Sequence, residues 1–272
     1  MKQQYSLSLL LAASALCLPA QAAVSNSNYG PVNTLADFNS KFSSRVSAPG
    51  SVRFGPNTET GVRNVATVVL KPGTVAGPAF ADIAPINEAV PANRPVDAVP
   101  RWYTFSFFLS KDWPATAEPV TLAHIDAHVP GQAAPWALVA TGTRLELKIS
   151  ANHRAAGGDD PANADNSLTR TYPVDTLVQG KWYCFAVAAD WRSELRRGLT
   201  RIWYNNQNEA LYEAFNTYNT YAGARHVPRL GLSANLAPGA AARTLIVDFP
   251  RVADGDWPQN MFNASPCKDY QK

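Results

Sequence analysis

Residues 121–128 contain the side chains best suited to acid–base chemistry in this chain. Their sequence, TLAHIDAH, alternates apolar residues with His124, Asp126 and His128. Successive side chains of a β-strand point to opposite faces, so the alternation predicts a strand with all three polar residues on one face. Because imidazole titrates near neutral pH, we expect His124 to act as a base or to neutralise a carboxylate. Asp126 is expected to orient one of the two histidines.

Two other interpretations of this polar face stay open. One is a metal site, because residues i and i+2 of a strand lie roughly 7 Å apart. His124 and Asp126, or Asp126 and His128, could then share one ion with a ligand from elsewhere. The other is a hydrated sheet surface without a chemical role. Our prediction is a site without a metal or any other cofactor.

Strand-like patterns account for most of the chain that must position this face. In RLELKIS, for example, Leu145, Leu147 and Ile149 alternate with charged residues. About a dozen such segments, separated by Pro, Gly, Asn and Asp clusters and without crossover helices, predict an all-β fold. We expect an antiparallel β-sandwich or jelly roll.

Local signals mark one helix and two long loops. Residues 34–43, TLADFNSKFS, indicate a helix with Thr34 as its N-cap. The Pro-rich segment 73–100 predicts a long loop over one end of the fold, and residues 154–166 predict a second one. Loops of this length in a compact domain are frequently functional lids.

The N-terminal segment has the organisation of a secretory signal peptide. Lys2 supplies a positive start, residues 9–18 an apolar centre and residues 20–22 a small-x-small cleavage site. We therefore predict a signal peptide over 1–22 and a single domain over 23–272, in the periplasm or secreted. No later segment is long and apolar enough to cross a bilayer.

Two cysteines lie beyond the predicted signal peptide, Cys184 and Cys267. In an oxidising compartment such a pair predicts a disulfide. Closing a loop of roughly 80 residues would stabilise the fold by about 4 kcal/mol in the chain-entropy model. Two free thiols are the alternative.

The charge of the chain excludes some classes of partner. The net charge is +3 and no Lys- or Arg-rich run occurs, so neither nucleic acid nor a membrane surface is an expected partner. The chain also lacks a Gly-x-Ser-x-Gly elbow, a phosphate-binding glycine loop and a His-Glu-x-x-His helix. We expect a monomer.

Four stretches together resemble the polysaccharide lyases with a concanavalin-like jelly roll, which include alginate, glucuronan and heparin lyases. RWYTFSFFLSKDWP at 101–114 is similar to the family's aromatic strand and its acidic-Trp-Pro turn. VTLAHID at 120–126 stands where the family has a strand with Gln-x-His. The segment 180–207 resembles its signature pair of strands, and VPRLGLSAN at 227–235 stands in place of Tyr-Phe-Lys-x-Gly-x-Tyr. The likeness covers most of 60–252.

The resemblance implies β-elimination across a uronic acid. In that reaction a base removes the C-5 proton, polar groups neutralise the neighbouring carboxylate, and an acid protonates the leaving glycosidic oxygen. Several family positions differ here: His124 replaces Gln, Asp126 replaces His, Arg229 replaces Lys and Ser233 replaces Tyr. The family's Arg-x-Glu element corresponds at best to Ile86, Asn87 and Glu88.

The resemblance also assigns roles to residues outside 121–128. Arg229 is expected to hold a substrate carboxylate in bidentate fashion, and Tyr204 to supply the acid that is missing at Ser233. Trp203 can stack against a sugar ring, although it lies next to Tyr204 and therefore on the opposite strand face. Further tyrosines that could serve as the acid are Tyr212, Tyr218 and Tyr221. The residues expected to contact the substrate are His128, Glu88, Asn87 and Trp203.

Two functions are consistent with these patterns. The first is an exported enzyme of the jelly-roll lyase type that cleaves an acidic polysaccharide or oligosaccharide by β-elimination, with His124, Asp126, Arg229 and Tyr204 at its site. The second is a non-catalytic carbohydrate-binding module that kept the groove and lost the catalytic groups. The simultaneous change at four motif positions is the reason to keep the second.

Overall fold

The computed structural model describes residues 32–47, 49–86, 101–152, 167–193, 198–205, 209–221, 223–254 and 267. More than half of these residues are in β-strands and few are helical, as the alternating patterns predicted. The elements are α1 (Leu35–Lys41), β1 (Phe42–Val46), β2 (Ser51–Gly55), β3 (Val65–Leu70), β4 (Gly77–Pro85), β5 (Arg101–Leu109), β6 (Val120–Asp126), β7 (Trp136–Thr141), β8 (Arg144–Asn152), β9 (Ser167–Thr176), β10 (Trp182–Asp190), β11 (Gly198–Tyr204), β12 (Tyr212–Thr217), β13 (Val227–Leu236), β14 (Arg243–Val247) and β15 (Arg251–Asp254).

The strands form two antiparallel sheets. The seven-stranded sheet has the order β1-β4-β13-β6-β7-β8-β9. The eight-stranded sheet has the order β12-β11-β10-β5-β14-β3-β2, with β15 paired to β5. The two sheets pack face to face around one apolar core, which confirms the predicted antiparallel β-sandwich.

The core is built from the residues that strand periodicity places on the inner faces. Leu145, Leu147 and Ile149 of β8 are all buried in it, as their alternation with charged residues predicted. Phe105 of the eight-stranded sheet stacks on Trp136 of the seven-stranded sheet with ring centroids 4.9 Å apart. Stacking of this kind adds about 1 kcal/mol to the burial of the rings.

The predicted helix is present as α1. Thr34 is its N-cap, and Thr34 and Asp37 form a reciprocal capping box, which satisfies two backbone N–H groups that have no partner within the helix. Phe38 is the buried residue of the helix and packs against Phe42 and Phe249. The helix thereby covers one end of the core.

The prediction of one long loop over 73–100 is wrong in its first part. Residues 77–85 form β4, which pairs with β1 on one side and with β13 on the other. Small inward residues such as Ala79 and Ala81 make the alternation inconspicuous, and the flanking prolines resemble loop signals. Residues 87–100, the second predicted loop and the predicted signal peptide lie outside the described residues.

The predicted disulfide is present between Cys184 and Cys267, with Cα atoms 6.1 Å apart and a separation of 83 residues. Cys184 belongs to β10 and lies in a small cluster with Phe108, Trp182 and Ile246, apart from the main core. The crosslink therefore anchors Cys267 against the face of the eight-stranded sheet that is turned away from the core. No helix in the described ranges is long and apolar enough to span a membrane.

Candidate active site

The polar residues of β6 lie on the face of the seven-stranded sheet that is turned away from the core, called the outer face below. Ala123 and Ile125 are buried in the core, and the alternation sends His124 and Asp126 to the outer face. Arg229 of β13 is the register partner of His124. The structure thus brings together three of the residues predicted from sequence.

Arg229 connects two carboxylates on the neighbouring strands. Its Nε donates to Asp126 Oδ2 at 3.2 Å, and its Nη1 donates to Asp82 Oδ1 at 3.2 Å. On the other side, Arg45 Nη2 donates to Asp82 Oδ2 at 2.7 Å. Arg45, Asp82, Arg229 and Asp126 form a chain of alternating charge, called the Arg–Asp network below. Its formal charges cancel.

The sequence analysis did not identify Asp82, which is the most buried member of the network. Its side chain is only 1% exposed, and a buried carboxylate is tolerated when cationic donors pair with it. Arg45 and Arg229 supply those donors. The available signal was the alternation of Asp82 with Ala81 and Ile83, both buried, inside a segment that its prolines marked as loop.

Gly231 allows β13 to approach β4 closely enough for this network. Its φ is +149°, and an added Cβ would lie 2.4 Å from the Ala81 carbonyl oxygen and 2.5 Å from the Asp82 Cα. A side chain at this position would push the two strands apart. The glycine of VPRLGLS is therefore a structural requirement for placing Asp82 next to Arg229.

The His124 imidazole is neutral at pH 7. Burial lowers its pKa to about 4, against the raising effect of the Asp82 and Asp126 charges, and Arg45 and Arg229 lower it further. Among the described residues none forms a hydrogen bond with the ring. A neutral, partly exposed imidazole of this kind can accept a proton from a bound molecule.

Asp126 is ionised and contacts His128 rather than His124. The backbone N–H of His128 donates to Asp126 Oδ1 at 2.9 Å, and His128 Nε2 lies 3.4 Å from Oδ2. Burial alone would raise the pKa of Asp126, but this hydrogen bond, the protonated forms of His128 and His124, and the Arg229 charge lower it. Asp126 therefore orients Arg229 and His128.

Tyr204 and Trp203 do not join the cluster, which corrects two expectations. Tyr204 is buried between the sheets, where its hydroxyl donates to Asp175 Oδ2 and its ring stacks on Phe185. Burial raises its pKa. Trp203 packs on Trp102 on the far face of the eight-stranded sheet. Both residues belong to β11 of the eight-stranded sheet, and neither lies on the outer face of the other sheet.

Tyr221, one of the alternative tyrosines, lies close to the end of β6. It packs on Ala127 and Ala224, and the neighbouring Ser150 side chain lowers the pKa of its hydroxyl against the larger effect of burial. The strand register places Ser150 opposite Asp126, two strands away. The two Cα atoms are therefore about 10 Å apart. Burial raises the pKa of Tyr221 to about 12, so its hydroxyl keeps its proton.

Three predicted substrate-contacting residues remain, two of which lie outside the described residues. Glu88 and Asn87 lie outside the described residues and stay predictions. His128 is half-exposed at the end of β6, with a φ of +53°. Over the ranges that the structure describes, no group of three or more His, Cys, Asp or Glu side chains is arranged to hold a metal ion.

A family model described as "Polysaccharide lyase" matches residues 91–248. This segment is more than half of the chain and contains His124, Asp126 and Arg229. The chain belongs to the polysaccharide lyase family. This confirms the resemblance recognised in the sequence motifs. A comparison with curated protein sequences found no match.

Solved structures agree with this family at the level of the fold. The endo-β-1,4-glucuronan lyase of the fungus Trichoderma reesei matches with a TM-score of 0.60 and 18% identity, over 78% of this chain and 90% of that one. The catalytic domain of a GH131 β-glucanase from Podospora anserina matches with a TM-score of 0.51 and 12% identity, over 85% of this chain and 95% of that one. This polysaccharide lyase family member therefore shares the β-sandwich fold of both proteins.

Proposed function

We propose that this protein is an exported lyase that cleaves a uronate-containing polysaccharide by β-elimination on the outer face. The observation that carries the proposal is the neutral His124 imidazole, unbonded to any described residue and flanked by the carboxylates of the Arg–Asp network. Family membership supports the reaction class. Glucuronan is the first substrate to test, because the glucuronan lyase of Trichoderma reesei has this fold.

In the proposed reaction His124 acts first as base. It takes the C-5 proton of the uronate, the C–H electron pair forms the C4=C5 double bond, and the C4–O bond to the leaving sugar breaks. The resulting imidazolium then returns the proton to the leaving glycosidic oxygen. One residue can serve both steps if it lies on the side of the sugar ring where proton and leaving group both project.

The Arg–Asp network suits the charges that develop in this reaction. Burial keeps His124 neutral before the reaction, and the Asp82 and Asp126 carboxylates stabilise the imidazolium that forms. Arg229 uses Nε and Nη1 for the two aspartates, which leaves Nη2 to donate to the substrate carboxylate. Arg229 would therefore bind the substrate carboxylate through one nitrogen and not through the bidentate pair expected from the sequence.

Export is supported by the disulfide between Cys184 and Cys267, because structural disulfides persist in oxidising compartments. A cleaved signal peptide over 1–22, a single domain over 23–272 and a monomeric state belong to the same proposal. N-terminal sequencing and sedimentation of the exported protein test these three points.

The direct test is incubation with glucuronan, alginate and heparin while the absorbance of the unsaturated uronate product is followed. We expect product from glucuronan and a loss of about 10²- to 10⁴-fold in kcat for His124→Ala. Lys181→Gln is the control, since Lys181 is exposed directly before β10 in the other sheet; we expect it to keep kcat within a few-fold. The absence of product from all three polymers would overturn the lyase proposal.

A non-catalytic glycan-binding module is the second candidate function. It is favoured by two observations: Arg229 is already paired with Asp82 and Asp126, and Tyr204 is buried in the core. Binding of a uronan by titration calorimetry, without any unsaturated product, would establish this function instead.

A further inference from the structure

Lys148 lies in the same row of the outer face as His124. The register pairs His124 with Ala137 of β7, and Ala137 with Lys148 of β8. Two strand spacings separate the two Cα atoms by about 10 Å. Since the residue between them is alanine, no large side chain of this row stands between the imidazole and the ammonium group.

Lys148 differs from the two arginines of the outer face in its charge environment. Arg45 and Arg229 are paired with Asp82 and Asp126, whereas Lys148 forms no ion pair with any described residue. Glu146, two residues earlier on the same face, is not within ion-pair distance of it. Lys148 is only partly exposed. The row thus carries one uncompensated positive charge beside a neutral histidine.

The surroundings of Lys148 offer further groups that suit a sugar chain. Thr171 of β9 is its register partner on the far side and provides a hydroxyl at the end of the row. Ser150, the next residue of β8 on this face, is a neighbour of the Tyr221 hydroxyl. Small and hydroxyl-bearing side chains therefore border the cation on both sides.

We infer that Lys148 binds the carboxylate of a second uronate residue, next in the polymer to the one whose C-5 faces His124. This inference rests on the proposed function. A lysine is a compact charge with three donors on a flexible stem, so it can follow a carboxylate whose position varies between polymers. A charge at this distance makes the site selective for polymers with a carboxylate on successive sugars, over neutral or sparsely charged glycans.

The test compares Lys148→Gln with Lys148→Arg and with the control Lys181→Gln. Lys181 is exposed directly before β10 of the eight-stranded sheet, so its replacement removes the same charge away from the outer face. For glucuronan we expect Lys148→Gln to raise KM about tenfold with kcat within a few-fold, as for loss of a charged hydrogen bond. Lys148→Arg and Lys181→Gln should stay near the wild type. Carboxyl-reduced glucuronan should bind wild type and Lys148→Gln equally.

The same variants separate this inference from the lyase proposal. If the wild type forms unsaturated product and Lys148→Gln has an unchanged KM, the inference fails and the lyase proposal stands. If the wild type binds glucuronan without product and Lys148→Gln weakens that binding about tenfold, the inference stands and catalysis fails. Absence of both binding and product overturns both. Thermal unfolding checks that each variant is folded, and Lys148→Met removes the charge instead should Lys148→Gln fold poorly.

Discussion

Arg229 joins two aspartates that lie 147 and 103 residues before it in the chain. Strand β13, which carries Arg229, lies between β4 with Asp82 and β6 with Asp126. The guanidinium is therefore held from both sides, at 3.2 Å in each case. Its fixed position next to His124 makes the outer face a preorganised electrostatic environment, so the proposed reaction at His124 needs little rearrangement of the neighbouring groups.

The pH dependence of activity should show that the neutral form of His124 is the active one. Since its pKa is lowered to about 4, the imidazole stays neutral at pH values well below the ordinary histidine pKa of about 6.5. In that form it can still accept a proton. We expect kcat/KM to stay level as pH falls from 7 to about 5 and to drop near pH 4. A drop centred near pH 6.5 would contradict the neutral, buried state.

The same shift predicts a loss of stability in acid. Between pH 6.5 and about 4 the unfolded chain protonates His124 while the folded chain does not, so the free energy of unfolding falls as pH is lowered through that window. His124→Gln should reduce this decline, measured by urea unfolding at pH 7 and pH 4.5. An identical decline in both proteins would show that other groups account for it.

Asp82→Asn should destabilise the protein by about 3 kcal/mol, because it leaves Arg229 without one of its two charged partners in a largely buried position. Urea unfolding at pH 7 measures the change. Glu213→Gln is the control, since its ion pair with Arg201 is exposed on both sides and is expected to contribute at most about 1 kcal/mol. Equal effects of the two substitutions would contradict the buried network.

Gly231→Ala should destabilise the protein by more than about 1 kcal/mol and lower kcat. The new Cβ meets the backbone of Ala81 and Asp82 at less than 3 Å, in a backbone conformation that favours glycine. Gly77→Ala, in the adjacent strand β4, is the control: its Cβ would meet no atom within 4 Å. A Gly231→Ala protein with wild-type unfolding and wild-type kcat would refute the close approach of β13 and β4.

Reduction of the disulfide should lower stability without changing the chemistry of the outer face. The crosslink closes a loop with a separation of 83 residues, so its loss is expected to cost about 4 kcal/mol. Cys184 lies on the far face of the eight-stranded sheet, and kcat on glucuronan should therefore persist below the new unfolding temperature. Activity and thermal unfolding are compared with and without a thiol reductant, and Leu147→Ala, a core substitution, serves as the reference for general destabilisation.

Local features of the sequence determined much of this protein. The alternation in 121–128 placed His124 and Asp126 on one face, and the alternation in RLELKIS placed Leu145, Leu147 and Ile149 inside. Two-residue periodicity is a property of a short segment, so the faces of a strand can be predicted without the rest of the chain. The capped helix at Thr34 and the pairing of two cysteines beyond the predicted signal peptide are readable for similar reasons.

Only the tertiary structure decided which of these faces meet. Periodicity correctly predicted that Trp203 and Tyr204 lie on opposite faces of β11. It did not show that β11 belongs to the eight-stranded sheet, whereas His124 lies in the seven-stranded one. Nor did it show that Asp82 would pair with Arg229, because that contact depends on the order of β4, β13 and β6 within the sheet. Strand order is set by burial of the whole core, which joins segments far apart in sequence and leaves no local pattern of its own.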